Sequence, residues 1–235
     1  MITIGVTGGV GSGKSEILKY LENNYNCRIL MSDNAAKDLE VPGGALYEPL
    51  IRLLEKNRSE EEGRHPLLLD NGEIDKQEMA RRIFADPRLL GEINALVHPA
   101  VNRYILEEIE RERGVGQRAF FVLESALLIE NGYDRILDSM WYIYCEQNVR
   151  SQRLRQSRGY SDEKIRSIME RQVSDETFRE HCDIVIDNTG PFYEPGGAAS
   201  MVDAAISLLL EKYKTREGAR QIRNTGTGAD NKYEI

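Results

Sequence analysis

The sequence predicts an α/β fold: a parallel five-stranded sheet with helices on both faces. Three observations predict it. Short β-branched or wholly apolar runs alternate with stretches of helical periodicity through most of the 235 residues. The run Ala119 to Leu123 is continuously apolar, and Met140 to Cys145 is similar, as suits strands buried on both faces of a parallel sheet. The first run, moreover, passes through a glycine-rich loop directly into a helix, a strand–loop–helix unit.

Taken in order, Ile2, Ile4 and Val6 mark a buried first strand over Ile2 to Thr7. Ile17, Leu18 and Leu21 recur at helical spacing after the loop. Cys27 to Met31 reads as a second strand ending at Ser32-Asp33, and Asn34 to Leu39 as a helix. Pro42-Gly43-Gly44 breaks the chain before a helical pattern from Ala45 to Leu54. Residues 57–65 are polar and aperiodic, a surface loop. Asp75 is placed to cap a helix through Phe84, and Asp86-Pro87 opens another to about Val97. His98-Pro99 starts a third, with Val101, Ile105 and Ile109 on one face. Beyond the strands at 119–123 and 140–145, Gln147 to Gln156 is a basic helix, broken at Gly159. A further helix runs from Ser161 to about Val173. Asp183 to Ile186 is a fifth short strand, and Ala198 to Tyr213 a closing helix. From Thr215 onward Gly, Asn, Thr and charge dominate, and disorder is expected.

Composition narrows the function classes. A net charge of −8 argues against general nucleic-acid binding. No apolar run approaches the length that spans a bilayer. Met1 leads straight into the first strand, leaving no room for a signal peptide. Three widely spaced cysteines form neither a C-x-x-C pair nor a metal pattern. A cytoplasmic protein with buried thiols is the expectation.

The chemistry starts at Gly8-Gly9-Val10-Gly11-Ser12-Gly13-Lys14-Ser15, which fits the phosphate-loop pattern of Gly, four residues, then Gly-Lys-Ser/Thr. Its glycines let the backbone curl and turn N–H groups inward, and the following helix points its positive end at the same spot. Lys14 can reach the β- and γ-phosphates of a nucleoside triphosphate, and the Ser15 hydroxyl can ligate Mg²⁺.

Ligands in parallel sheets sit at the carboxyl ends of strands, so the residues there matter next. Asp33 closes the second strand; it suits either a base for an attacking hydroxyl or an N-cap. Glu124 ends the apolar third strand, where it is either a Mg²⁺-side carboxylate or simply solvated. Arg150, Arg153, Arg155 and Arg158, with Arg166 and Arg171 beyond, form the most basic stretch. Such arginines can stabilise charge on a transferring phosphoryl group, although the acidic residues among them also suit a solvated face. His98, before Pro99, reads as a structural or ligand-contact residue rather than a base.

Several separated blocks resemble the dephospho-coenzyme A kinase family over residues 1 to about 213. The opening Ile4 to Ser15 resembles the family's start almost letter for letter, and Ser32-Asp33-Asn34-Ala35-Ala36-Lys37 is similar to its Asp-Ala-Asp and Ala-Arg block. Arg82 to Pro87 and Ile93 to Pro99 resemble its substrate-domain signature, Leu127 to Glu130 its Leu-Leu-x-Glu, and Asp183 to Gly190 its closing strand and Asn-x-Gly turn. Met31, Lys37, Ala126 and Ser157-Arg158 depart from the pattern. The resemblance implies a phosphate-loop kinase fold and phosphorylation of the ribose 3′-hydroxyl of dephospho-coenzyme A by ATP with Mg²⁺. It implies one unit over 1–213: a core of 1–56, 114–146 and 174–213, a helical substrate-binding insertion at about 57–113 and a lid at about 147–173, with 214–235 a tail. In that reading the loop and Asn188 hold the nucleotide. Asp33 deprotonates the hydroxyl, Arg150, Arg153 or Arg158 closes over the γ-phosphate, and Lys37, Arg82, His98 and Glu124 contact the substrate. Other small-molecule kinases, a regulatory GTPase and a nonenzymatic ATP-binding module are the rivals. The GTPase needs an Asn-Lys-x-Asp, and the nearest match, Asn231-Lys232-Tyr233-Glu234, ends in Glu.

Overall fold

β1 (Ile2–Thr7) is buried at every position in the computed structural model. α1 (Lys14–Asn24) follows the loop and buries Ile17, Leu18 and Leu21. Then come β2 (Cys27–Met31), α2 (Ser32–Glu40) and α3 (Tyr47–Lys56). α4 (Lys76–Ala85) and α5 (Pro87–Val115) precede β3 (Phe120–Glu124) and β4 (Ser139–Tyr144). α6 (Gln147–Arg158), α7 (Asp162–Glu170) and α8 (Asp175–His181) lead to β5 (Ile184–Asp187) and α9 (Ala198–Thr225). The structure describes residues 1–56 and 65–225, with side chains in the closing helix described to residue 214. Residues 57–64 of the expected surface loop and 226–235 of the expected tail lie outside the described residues.

The five strands lie in the order β2-β3-β1-β4-β5. The inner strands β1, β3 and β4 are buried along almost their whole length, whereas the edge strand β2 is half-exposed. This is why no charged residue interrupts the inner runs, whereas Arg28 interrupts the edge run. β1 and β2 both pair with β3 in parallel. Parallel neighbours cannot be joined by a hairpin, so helices carry the chain between them. The register sets Val6 and Met31 opposite Glu124, bringing three carboxyl ends to one edge.

Capping residues fix the helices where the sequence reading placed them. Asp75 accepts from the Gln77 and Glu78 amides at the start of α4, and Asp86 from Arg88 at the start of α5. Gly159 adopts φ 61° after α6, the left-handed turn that ends helices. Three expectations change. The two helices expected on either side of His98-Pro99 are one 29-residue helix, α5, with Pro99 inside it. An internal proline costs about 3 kcal/mol. That cost is offset because α2, α3 and α4 all pack on α5, which buries Leu89, Ile93, Val101, Ile105 and Ile109. The helix expected to reach Val173 stops at Glu170, and Ser174 caps a further helix, α8. The closing helix expected to end near Tyr213 continues to Thr225, into the stretch expected to be a disordered tail.

The chain divides into two compact units. One comprises Met1–Thr7 and Glu22–Trp141, the other Gly8–Leu21 and the chain from Tyr142 onward. β4 contributes residues to both. The phosphate loop, α6 and α7 belong to the second unit; Asp33 and the helices α2 to α5 belong to the first. No helix among the described residues is long and apolar enough to cross a membrane.

Candidate active site

In the second unit the loop from Gly8 to Ser15 is shaped by its neighbours as much as by its glycines. Gly13 has φ +87°, and a Cβ there would collide with the Asn188 amide nitrogen. A Cβ on Gly9 would collide with the Arg150 guanidinium. The two glycines therefore leave space for specific side chains besides freeing the backbone. Lys14 Nζ donates to the Gly8 carbonyl at 2.8 Å, which folds the ammonium back over its own loop. The buried Ser12 hydroxyl has no protein partner among the described residues, an orphan that suits a site built to receive a polar ligand. Curled backbone, inward lysine and orphaned hydroxyl all fit a polyphosphate. Ser15 is exposed at the start of α1 and supplies a hard hydroxyl oxygen of the kind Mg²⁺ takes. No cluster of His, Cys, Asp or Glu among the described residues could hold a metal by itself.

The candidate lid arginines separate by geometry. Arg150 Nε donates to the Val10 carbonyl at 3.0 Å, so its guanidinium lies directly on the loop. Arg153 is occupied with Asn188 and the loop: Nη2 donates to the Asn188 carbonyl at 2.9 Å, and Nη1 approaches the Ser12 carbonyl at 3.5 Å. Arg158 is exposed at the far end of α6, 5.9 Å from the Tyr160 ring. Arg150 and Arg153 thus bond to the loop, whereas Arg158 lies beside the Tyr160 ring.

Asn188, expected to touch the nucleotide, lies against the loop backbone, and its buried side-chain oxygen has no protein partner among the described residues. It is 1% exposed, and its amide donates to the Ser12 carbonyl at 2.9 Å. It braces the loop from behind. Asn188→Ala should lower stability by about 1–2 kcal/mol and raise KM for ATP more than it lowers kcat. Denaturant midpoints and initial rates measure both; an unchanged KM would show that the loop keeps its shape without the brace.

In the first unit, β2 ends at Met31 and α2 begins at Ser32, so Asp33 sits in the first turn of α2. The N-cap is Met31, with no side-chain capping bond, so the capping role open to Asp33 from sequence is not the one it plays. Its carboxylate is exposed. Lys37 lies four residues on, on the same helix face, and is also exposed. A cavity of about 480 Å³ is lined by Lys37, Val41, Leu69, Ile74 and Lys76 among others. Glu124 is half-buried at the end of β3. His98 is half-buried within α5 and does not line this cavity.

Arg82 is held among its neighbours in α3 and α4. Expected to contact substrate, it is 1% exposed. Nε donates to Glu78 at 2.8 Å and Nη1 to the Leu54 carbonyl at 3.2 Å; only Nη2, itself buried, lacks a partner. The guanidinium ties α4 to α3. Arg81 adds two bonds to the same carboxylate, at 2.8 and 2.9 Å. The Arg81 bond first, and Arg82 beside it, outweigh burial and hold the Glu78 carboxyl at about 2 rather than the usual 4.5. The folded value lies below the unfolded one, so the stabilisation is complete above about 4.5 and is lost as pH falls towards about 2. Glu78→Gln should therefore flatten the fall in melting temperature across that window. An undiminished acid slope would contradict the assignment.

A family model for dephospho-CoA kinase matches residues 2–194. The chain belongs to the dephospho-CoA kinase family. A dephospho-CoA kinase of Corynebacterium diphtheriae is 32% identical over 190 residues, covering 81% of this chain and 90% of the relative. One from Symbiobacterium thermophilum is 30% identical, covering 81% and 75%. A solved structure from Thermus thermophilus superposes with a TM-score of 0.66 at 27% identity, covering 89% of this chain and 97% of that one. As a member of the dephospho-CoA kinase family the chain is a kinase, a phosphotransferase with an alcohol acceptor. Gln172 accepts from the Val10 amide of the phosphate loop at 3.2 Å, and no spacing or motif in the sequence marks it.

Proposed function

We propose that the chain transfers the γ-phosphoryl group of ATP to the ribose 3′-hydroxyl of dephospho-CoA, giving CoA and ADP as the last step of CoA synthesis. The observation that carries this reading is the phosphate loop with Arg150 seated on it, in a chain matched to the family over residues 2–194.

ATP binds with its phosphates in the Gly8–Ser15 loop. Lys14 exchanges its bond to the Gly8 carbonyl for phosphate oxygens, so the positive charge is already in place. Arg150 offers its remaining N–H groups to the γ-phosphoryl oxygens as charge spreads over them. Asp33 accepts the proton of the attacking hydroxyl. The new bond joins that oxygen to the γ-phosphorus, the bond to the bridging oxygen breaks, and ADP leaves with the electron pair. Arg153 and Asn188 keep the loop in shape. Ser15 would hold Mg²⁺ together with the nucleotide, and the ion would supply neutralisation of phosphate charge.

Lys37 and the cavity beside it would supply the acceptor's contacts, and Glu124 at the end of β3 and His98 within α5 would add contacts outside that cavity. Lys37 supplies an exposed point charge for an anionic group, and the apolar lining of Val41, Leu69 and Ile74 suits an uncharged chain. We infer a cytoplasmic enzyme with ATP and dephospho-CoA as its partners. Incubation with ATP, Mg²⁺ and dephospho-CoA should give a product whose new phosphorus resonance belongs to a 3′-phosphomonoester. Phosphorylation at another position would refute the assignment of the acceptor.

A further inference from the structure

Arg150 does not hold its position on the loop alone. Arg150 Nη2 donates to the side-chain oxygen of Gln172 at 2.6 Å. The same oxygen accepts from the Val10 backbone amide at 3.2 Å, and the Val10 carbonyl accepts from Arg150 Nε at 3.0 Å. The three residues close a ring: loop amide to Gln172, Gln172 to Arg150, Arg150 back to the loop carbonyl. Gln172 is itself fixed by its own amide, which donates to the Met169 carbonyl at 3.2 Å just beyond α7. Nε and Nη2 of Arg150 are thus committed. Among the described residues Nη1 has no protein acceptor.

We propose that Gln172 is a positioning residue for phosphoryl transfer: its amide oxygen clamps Arg150 onto the phosphate loop and aims the uncommitted nitrogen at the nucleotide phosphates. Three features carry this. The acceptor is single and shared, so one side chain fixes both the arginine and the loop amide. The arginine's planar fork is held at two points, which removes the rotational freedom that a long side chain would otherwise lose on binding. A cavity of about 370 Å³ lined by Arg150, Arg166, Glu170, Gln172 and Asp175 among others lies beside the ring, so the arginine is not packed in on every side. The inference rests on the reading that ATP phosphates occupy the Gly8–Ser15 loop.

The test is a double-mutant cycle on the full chain with ATP and dephospho-CoA, read as KM for ATP and kcat separately. Gln172→Met keeps length and removes the acceptor; it should raise KM for ATP roughly tenfold with a smaller change in kcat. Gln172→Glu restores an acceptor oxygen and should recover most of that loss. Because Gln172 acts chiefly through Arg150, Arg150→Met with Gln172→Met should lose far less than the two single losses combined. Additive losses in the cycle, wild-type kinetics in Gln172→Met, or no recovery in Gln172→Glu would overturn the proposal. Gln172→Ala, which only removes atoms, is run in parallel, so a misfolded methionine variant leaves the test standing. Absence of turnover in the unmutated chain would instead refute the kinase reading, a result distinct from any of these.

Discussion

Asp33→Asn should bind ATP as the parent does and lose most of its turnover. General-base catalysis contributes about 10²–10⁴-fold, and kcat should fall within that range. The amide has the same shape as the carboxylate, so substrate packing is kept while the proton acceptor is removed. The structure makes this variant a clean one. Asp33 caps no helix and is exposed, so nothing in the fold depends on its oxygens as acceptors. What is lost in stability is the favourable charge at the first turn of α2, about 0.3–1 kcal/mol. Single-turnover rates with saturating ATP, beside a binding isotherm for a non-hydrolysable analogue, separate the two effects. Near-normal turnover would remove Asp33 from the mechanism.

Lys14→Ala should damage binding and chemistry together. The ammonium reaches the phosphates in both the ground state and the transition state, and charge contacts of this kind are worth about 10²–10³-fold in rate alone. KM for ATP rises and kcat falls, so kcat/KM drops by more than either. The variant also loses the bond from Nζ to the Gly8 carbonyl, and the loop loses one of its own ties. Lys14→Arg should not restore activity, because a planar fork cannot take the place of a compact charge at the bottom of a tight loop. Retention of ATP binding in Lys14→Ala would mean that the loop amides alone hold the nucleotide.

Most of the fold was legible because strand and helix periods are written directly in burial. β1, β3 and β4 are buried on both sides and read as apolar runs. Asp75 and Asp86 announced their helices because a cap is a local device, decided within three residues. Pro99 misled because its cost is local whereas its compensation, the packing of α2, α3 and α4 on α5, is tertiary. The phosphate loop was legible for the same reason as the caps: its residues are contiguous and each does its work within the loop. Arg82, Asn188 and Gln172 were not. Arg82 and Asn188 lie in stretches that resemble a known site, yet each is buried and bonded to a neighbour distant in sequence. Gln172 meets Val10 across 162 positions of sequence, a separation over which no spacing rule operates.

The most direct test of the central claim is ADP release measured with one acceptor at a time: dephospho-CoA, adenosine, AMP and shikimate, each with ATP and Mg²⁺. The account predicts turnover with dephospho-CoA at least about a hundredfold above the others, since a site built to hydrogen-bond one acceptor rejects analogues lacking those groups. No turnover with dephospho-CoA, alongside turnover of another acceptor, would contradict it.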